Sequence, residues 1–328
     1  MANVAQMQSG EAAVEDRLVS DRGLWSDAFR RLRKNRPAMV ALVVLSLIIL
    51  LVITSEIFPF VQRHDPFFQD YTRDANGELN SIHLGPTAEH PFGTDNLGRD
   101  TWSRVLQGTR ISLQIGIGTQ IVALAIGLLI GGAAAVGGRF TDSILMRFTD
   151  LTYAFPDLLF IILLRAVVAG RDWPVIGTGD PQIPYLEGPL LQVTLAIAFT
   201  SWVTIARLVR GQMLSLAQRD YIVAARALGA SEARVVFRHM LPNTLGPVIV
   251  AVTFGIPTAI FAEAVLGFIG LGVPIPTASL GRLVADGYSF VELNAWVVAF
   301  PAATIALLML CFTFLGDGLR DALDPRTR

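Results

Sequence analysis

The chain has 328 residues, 52% of them hydrophobic and only 16% charged, with net charge −1 and mean hydropathy +0.53. A soluble domain carries roughly 25% charged residues, so composition excludes an ordinary water-soluble protein and predicts one built for a bilayer. The near-neutral total points to no nucleic-acid partner, and a single cysteine, Cys311, excludes a disulfide framework or a cysteine-based metal site.

Residues 1–20 read as disordered, and residues 24–36 (LWSDAFRRLRKNR) as a basic amphipathic helix on the cytoplasmic membrane surface, before Pro37 redirects the chain. About 36 mostly polar residues precede the first apolar run, too many for the n-region of a signal peptide. A hydrocarbon core ~30 Å thick needs about 20 apolar residues as helix. Six segments qualify: 38–60, 112–136, 144–168, 190–206, 246–269 and 295–315. All six are predicted to be helices, because an isolated strand leaves backbone groups unpaired in lipid. The third is the least clean, carrying Asp150, Asp157 and Arg165, but the spans on either side need a connection. The expected fold is therefore all-α and polytopic: a cytoplasmic tail 1–37, a first span, an external segment 61–111, a five-helix core 112–315 and a tail 316–328.

Within the external segment, HPFGTDNLGRDTWSRVLQGTRISL (His90–Leu113) is punctuated by Gly93, Gly98 and Gly108, with Trp102 placed as an interfacial anchor. Two further external segments, 169–189 and 270–294, are shorter. The second span is rich in glycine, at 116, 118, 127, 131 and 132. Small residues let helices approach closely, and Gly127-x-x-x-Gly131 is expected to pack either against another chain or within this one.

Basic residues set the orientation. With the N-terminus inside, the segments 1–37, 137–147, 207–243 and 316–328 carry eighteen of them and the opposite side seven, with Arg165 in a span. Both termini are expected in the cytoplasm, as is the loop 207–243.

That loop contains DYIVAARALGASEARVVFRHMLPN. Its first part, with Asp220 at the start and Ala, Leu and Tyr on one face, is predicted to be a helix closed by Gly229, which accepts the left-handed conformation. Ser231 then caps a second helix, followed by Glu232 and Ala233, running to Met240 before Pro242. The expected result is a helix-turn-helix lying across the membrane face, read either as an ordinary interfacial pair or as a docking element.

The catalytic motifs are negative. A P-loop needs Gly-x-x-x-x-Gly-Lys-Ser/Thr, and the only lysine, Lys34, lies between Arg33 and Asn35. Gly-x-Ser-x-Gly and His-Glu-x-x-His are also missing. An enzyme is not expected, nor is a cofactor. His64, His83 and His90 share the outer segment, but separations of 19 and 7 residues match no standard ligand spacing, so no metal site is expected. Asp150, Asp157, Arg165 and Glu263 lie in or near spans, where an unpaired charge is costly and a functional role is the default reading. Asp150, Asp157 and Glu263 are candidates for lining a pathway or relaying protons. The structural alternative is that Asp157, beside Pro156, satisfies backbone groups freed by a proline kink.

Beyond these readings, the loop resembles the cytoplasmic "EAA" loop of ABC-importer permeases. That pattern has Glu-Ala-Ala, a Gly four residues on, and Leu-Pro twelve residues after the Gly. Ala224-Ala225, Gly229 and Leu241-Pro242 stand at those spacings, while Val223 replaces the Glu and His239 a common Ile. Asp220-Tyr221 resembles the Glu-Tyr start of peptide-importer permeases. Further stretches resemble the C-type permeases of dipeptide, oligopeptide and nickel importers: HPFGTDNLGRD (90–100), AEAVLGFIGLGV (262–273) with Ser279-Leu280-Gly281, and GDGLRDALDPR (316–326). The resemblance covers about residues 25–328. It implies a type I importer permease with six spans in the inner membrane, paired with a second permease, two cytoplasmic ATPase subunits and an extracytoplasmic solute-binding protein. It assigns ATPase coupling to Asp220, Tyr221, Ala224, Ala225, Gly229, Leu241 and Pro242. It also implies transport by alternating access, with di- or oligopeptide as the solute ahead of nickel.

Two other readings compete. An ion-gradient-driven secondary transporter would rely on Asp150, Asp157 and Glu263 and would show inverted repeats. A membrane scaffold would need neither. No clear repeat is present in the sequence, and a secondary transporter has no use for a docking loop.

Overall fold

A computed structural model describes residues 24–71, 81–168 and 188–323, so the expectations for 1–20 and 169–187 and the end of the C-terminal tail lie outside the described residues. Among the described residues the chain is helical, with one isolated bridge between Thr94 and Asp100 in place of any strand.

The elements follow the sequence closely at the start. Helix α1, Leu24–Lys34, is followed by Asn35, whose side chain accepts from Ala38 N–H. With Pro37 in the first turn, a position where the missing N–H costs nothing, this cap starts the apolar helix α2, Arg36–Ile57. A short helix α3, Pro59–Gln62, leads into the long segment before α4, Thr101–Val136. Helix α4 begins eleven residues before the expected span start at 112, because Asp100 caps it by accepting from Ser103 N–H.

The expected third span is not continuous. Helix α5, Gly138–Tyr153, and helix α6, Asp157–Val168, are separated by Ala154-Phe155-Pro156. Proline has no N–H to donate and disfavours helical geometry in the residue before it. Each piece is too short to cross the bilayer alone. Helices long and apolar enough to do so number five among the described residues: Arg36–Ser55, Thr101–Val136, Leu190–Ala217, Glu232–Phe268 and Trp296–Leu323.

Helix α7, Gly188–Ala217, runs beyond the expected end at 206 into the loop region. Then come α8, Asp220–Ala227, and α9, Glu232–Val235, a π-helical turn Val236–Met240, and α10, Leu241–Phe268. The short α11, Leu280–Tyr288, and the last span α12, Trp296–Leu323, complete the order.

Between lipid-embedded helices there is no hydrophobic driving force, so close approach decides the packing. The glycines of α4 supply it. A Cβ on Gly127 would stand 2.6 Å from Ile205 Cγ2, and one on Gly131 2.4 Å from the Ala206 carbonyl oxygen. The Gly127-x-x-x-Gly131 face therefore packs within this chain, against α7. Ile111 and Ile115 meet Leu190, Val193 and Ile197 at one end, and Ala123 meets Trp202 and Ala206 further along, so α4 and α7 run parallel. Helices α2 and α12 run antiparallel: Ala38 abuts Gly318, and Ala41 and Leu45 share a cluster with Leu308 and Phe312. Helix α1 closes that end, seating Ala28 and Leu32 against Ala38 and Ala322. The bundle thus has two distinct ends. One holds α1, the end of α12 and the 218–240 loop. The other holds α3, the 81–100 loop and α11.

Candidate functional site

The loop is held at its base and exposed at its tip. Ile222, Val235 and Met240 are buried in the cluster that contains Ala206, Val209 and Met213 of α7. Around these anchors Tyr221 is 46% exposed, Val223 54%, Phe237 71% and Leu228 90%. Asp220 lies in the first turn of α8, where its charge suits the positive end of the helix dipole. Ala224 is exposed and Ala225 half-buried, Leu241 is half-buried and Pro242 exposed.

Gly229 ends the first helix as the sequence predicts. Its φ is +84°, its N–H donates to Arg226 C=O (2.9 Å) and the N–H of Ala230 donates to Ala225 C=O (3.0 Å). This pair of bonds is a Schellman motif, and the left-handed residue is its hinge. Among the described residues no heavy atom beyond the adjacent backbone lies within 4 Å of the position a Cβ would take, so the need for glycine here is conformational. Across the turn, Arg226 and Glu232 form a bidentate pair at 2.9 and 3.0 Å. Ser231 caps α9 through Arg234 N–H.

One expectation fails. The second loop helix does not stop before Pro242 but continues through it into the span, giving an unbroken helical segment Glu232–Phe268. The π-helical turn makes this passage feasible: Leu241 N–H reaches back to Val236 C=O, loosening the turn where the proline ring would crowd the backbone.

The acidic candidates in the spans go to separate places. Glu263, on α10, is fully buried and accepts from the Ser112 hydroxyl of α4 at 2.8 Å. Its neighbourhood is closely packed. A Cβ on Gly281 would stand 2.4 Å from Ala264 Cα, and one on Gly267 2.9 Å from Arg282 N. The AEAVLGFIGLGV and Ser-Leu-Gly stretches are thus two halves of one junction between α10 and α11. Asp150 instead pairs with Arg207 of α7 at 2.6 Å, and Arg207 lies over the Tyr153 ring. Asp157 is exposed at the first turn of α6, directly after Pro156. The side chain of Arg165 lies outside the described residues.

At the other end of the bundle, HPFGTDNLGRD folds into a plug over the start of α4. Gly93 and Gly98 have φ of +75° and +69°, and a Cβ on either would strike a backbone oxygen, Leu84 O or Asp70 O. Asp95 accepts from Leu97 N–H and Arg99 N–H and pairs with Arg99 and with buried Arg104, both at 2.7 Å. Phe92 stacks on Phe300 at 3.8 Å and meets Trp102 edge-on. Trp102 Nε1 donates to Val61 C=O, so this anchor is tied to α3. Nearby on α11, burial pushes the Asp286 carboxyl above the usual carboxylate range, against the pull of Arg282 and Arg99. Of the three histidines in this segment, His64 and His90 come together while His83 stacks on Phe290.

Sequence reasoning missed the anchors Ile222, Val235 and Met240, the Ser112 partner of Glu263 and the Asp100–His90 contact. The anchors were legible in principle, as apolar positions in an otherwise polar stretch. The other two join residues 151 and 10 positions apart and carry no local signal.

Residues 123–328 match the family described as the binding-protein-dependent transport system inner membrane component, and residues 23–86 match the N-terminal transmembrane domain of oligopeptide transport permease C. The chain belongs to the binding-protein-dependent transport permeases. The permease is 39% identical over 305 residues to the oligopeptide transport system permease protein OppC of Bacillus subtilis (strain 168), covering 93% of this chain and 90% of that one. It is 39% identical to the dipeptide transport system permease protein DppC of the same organism, covering 92% and 86%. Against the OppC of Escherichia coli (strain K12) the identity is 37%, covering 94% of both. In structure, an inward-facing form of the MetNI methionine ABC transporter aligns with TM-score 0.53 at 19% identity, covering 67% of this chain and 96% of that one. The shared fold is that of type I importer permeases. The permease is a multi-pass membrane component rather than an enzyme, and its family works with partner subunits that hydrolyse ATP and deliver solute.

Proposed function

We propose that this permease is one of two membrane subunits of an ATP-driven importer of di- or oligopeptides, and that its 220–242 loop seats in a groove of a cytoplasmic ATPase. In this reading Asp220, Tyr221, Ala224, Ala225, Gly229, Leu241 and Pro242 form the coupling element. A pair of ATPases closes on ATP, the loop helices carry that motion into the spans, and the solute passes between this chain and the second permease. Packed interfaces switch between discrete arrangements, which makes a docked helix an effective transmitter. An extracytoplasmic binding protein delivers solute at the opposite end of the bundle. The excess of basic residues at the loop end, eighteen against seven, supports both termini on the cytoplasmic side.

The single observation that carries the reading is the division of the loop into buried anchors and exposed apolar tips. Ile222, Val235 and Met240 fix it to the bundle, while Tyr221, Val223, Leu228 and Phe237 stand out beside it. Such a patch at a membrane protein's aqueous end marks a partner surface. Peptide as the solute is supported by the names of the relatives, which are oligopeptide and dipeptide systems. Co-purification of the ATPase with Ala224→Glu and Ala225→Glu variants tests the coupling role. Both are expected to reach the membrane in normal amounts, to lose the ATPase and to lose uptake, since an unpaired carboxylate buried at an interface is strongly unfavourable. Wild-type association and transport in both variants defeats it.

A further inference from the structure

Separation in sequence does not determine separation in space, and His64 and His90 demonstrate it. His64 and His90 have ring centroids 4.6 Å apart, and Glu89 lies beside them. Ligand-capable atoms of these three residues all lie within 4.8 Å of one another. We propose that His64, Glu89 and His90 bind a divalent transition cation of the Zn2+ class, which clips the segment following α3 to the loop preceding α4.

Three features support the assignment. The first is the setting of His90. Its Nδ1 lies 2.8 Å from Asp100 Oδ1, and Asp100, 2% exposed, also accepts from the N–H and hydroxyl of Ser103. Asp100 is thus committed as an acceptor, and His90 Nδ1 is the donor. That tautomer leaves the lone pair of Nε2 available. A carboxylate behind an imidazole in this way is how proteins orient a metal-bound histidine and raise its basicity.

The second feature is His64 Nδ1, which is buried and, among the described residues, makes no hydrogen bond. Asp100 Oδ1, at 3.9 Å, is too far to serve. Buried polar atoms are rarely left without a partner. The third is the donor set itself. Two imidazoles and a carboxylate with a position left open are a set that zinc accepts, and imidazole selects zinc, nickel and copper over magnesium and calcium. Glu89 is exposed, which gives a solvent ion its first contact, and His64 also lines an open cavity of 520 Å³ beside Gln62, Ser103 and Arg110.

The test uses the full-length chain in detergent, stripped with chelator and titrated with Co2+ and then Zn2+. Ligand-field absorption reads the coordination directly. Wild type is expected to develop bands of a nitrogen- and oxygen-ligated Co2+ that Zn2+ displaces. Glu89→Gln is expected to weaken binding by about tenfold or more, His64→Ala to abolish it, and Asp100→Asn to weaken it by about 10–100-fold. His83 stacks on Phe290 and is not one of the three ligands, so His83→Ala is expected to bind as wild type. The melting temperature without metal checks that each variant is folded. Absence of bands in wild type, wild-type binding by folded His64→Ala and Glu89→Gln, or an equal loss in His83→Ala each overturns the proposal.

Discussion

Ser112 on α4 donates a 2.8 Å hydrogen bond to Glu263 Oε2 on α10, and neither residue is exposed. The hydroxyl of Ser279, which caps α11, faces the same carboxyl. The pair joins helices 151 positions apart in the sequence at the point where α10 hands over to α11. Ser112→Ala removes a donor from a buried acceptor and is expected to cost about 1–3 kcal/mol. Glu263→Gln keeps the shape and an acceptor for Ser112, whereas Glu263→Ala also leaves a cavity. Melting in detergent is therefore expected to fall in the order wild type, Glu263→Gln, Glu263→Ala. Wild-type melting in both Ser112→Ala and Glu263→Ala refutes this account of the junction.

The glycine face of α4 predicts a sharp contrast between neighbours. A Cβ on Gly131 meets the Ala206 carbonyl oxygen at 2.4 Å, while one on Gly132 meets nothing nearer than Met213 Sδ at 3.9 Å. Gly131→Ala is expected to destabilise by about 1–3 kcal/mol, the usual range for overpacking. Gly132→Ala is expected to be neutral or mildly stabilising, since alanine is the better helix former. Equal melting temperatures for the two variants contradict the packing described.

At Gly229 the cost of substitution is conformational. A residue with a Cβ is disfavoured by about 1–2 kcal/mol in the left-handed region, and a β-branched one by more. Gly229→Val is expected to stay in the membrane but to lose ATPase association and uptake, because the angle between α8 and α9 changes. Gly229→Ala is expected to be weaker in effect, since open space surrounds the position. His83→Ala and His64→Ala, at the other end of the bundle, are expected to keep coupling. Full association and transport by Gly229→Val counts against the coupling role.

The absence of a P-loop predicts that the purified single chain neither binds nor hydrolyses ATP. Turnover that survives removal of contaminating ATPases overturns this.

For orientation, cysteines introduced singly at Asn76 and Thr327 are expected to be labelled from opposite sides in intact cells. Labelling of Thr327 from outside sinks the arrangement with both termini in the cytoplasm.

Local chemistry made much of this readable from residues alone. Gly229 and Ser231 act through their own backbone neighbours, so a turn and a cap were visible as letters. The five long spans were visible because apolar length is itself the signal for crossing lipid. The third span reads as continuous in sequence because Pro156 acts on geometry while leaving hydrophobicity untouched. Pro242 misled in the opposite direction: proline ends most helices, but a widened turn from Val236 to Met240 lets this one continue. The partners of Glu263 and His90 were hidden because nothing near them in sequence specifies what the folded chain sets opposite.

The continuity of Glu232–Phe268 has a mechanical consequence. Thirty-seven residues of helix at about 1.5 Å each make a rod about 55 Å long. Phe237 lies near one end and Glu263 near the other. A lever of that length turns a small tilt at its handle into a displacement of several ångströms at its tip. The rod has compliant joints at the π-helical turn and at Pro247 and Pro257, each of which lacks a helical N–H, so the stiffness at those three points sets how faithfully a push near Phe237 would reach the buried carboxyl of Glu263.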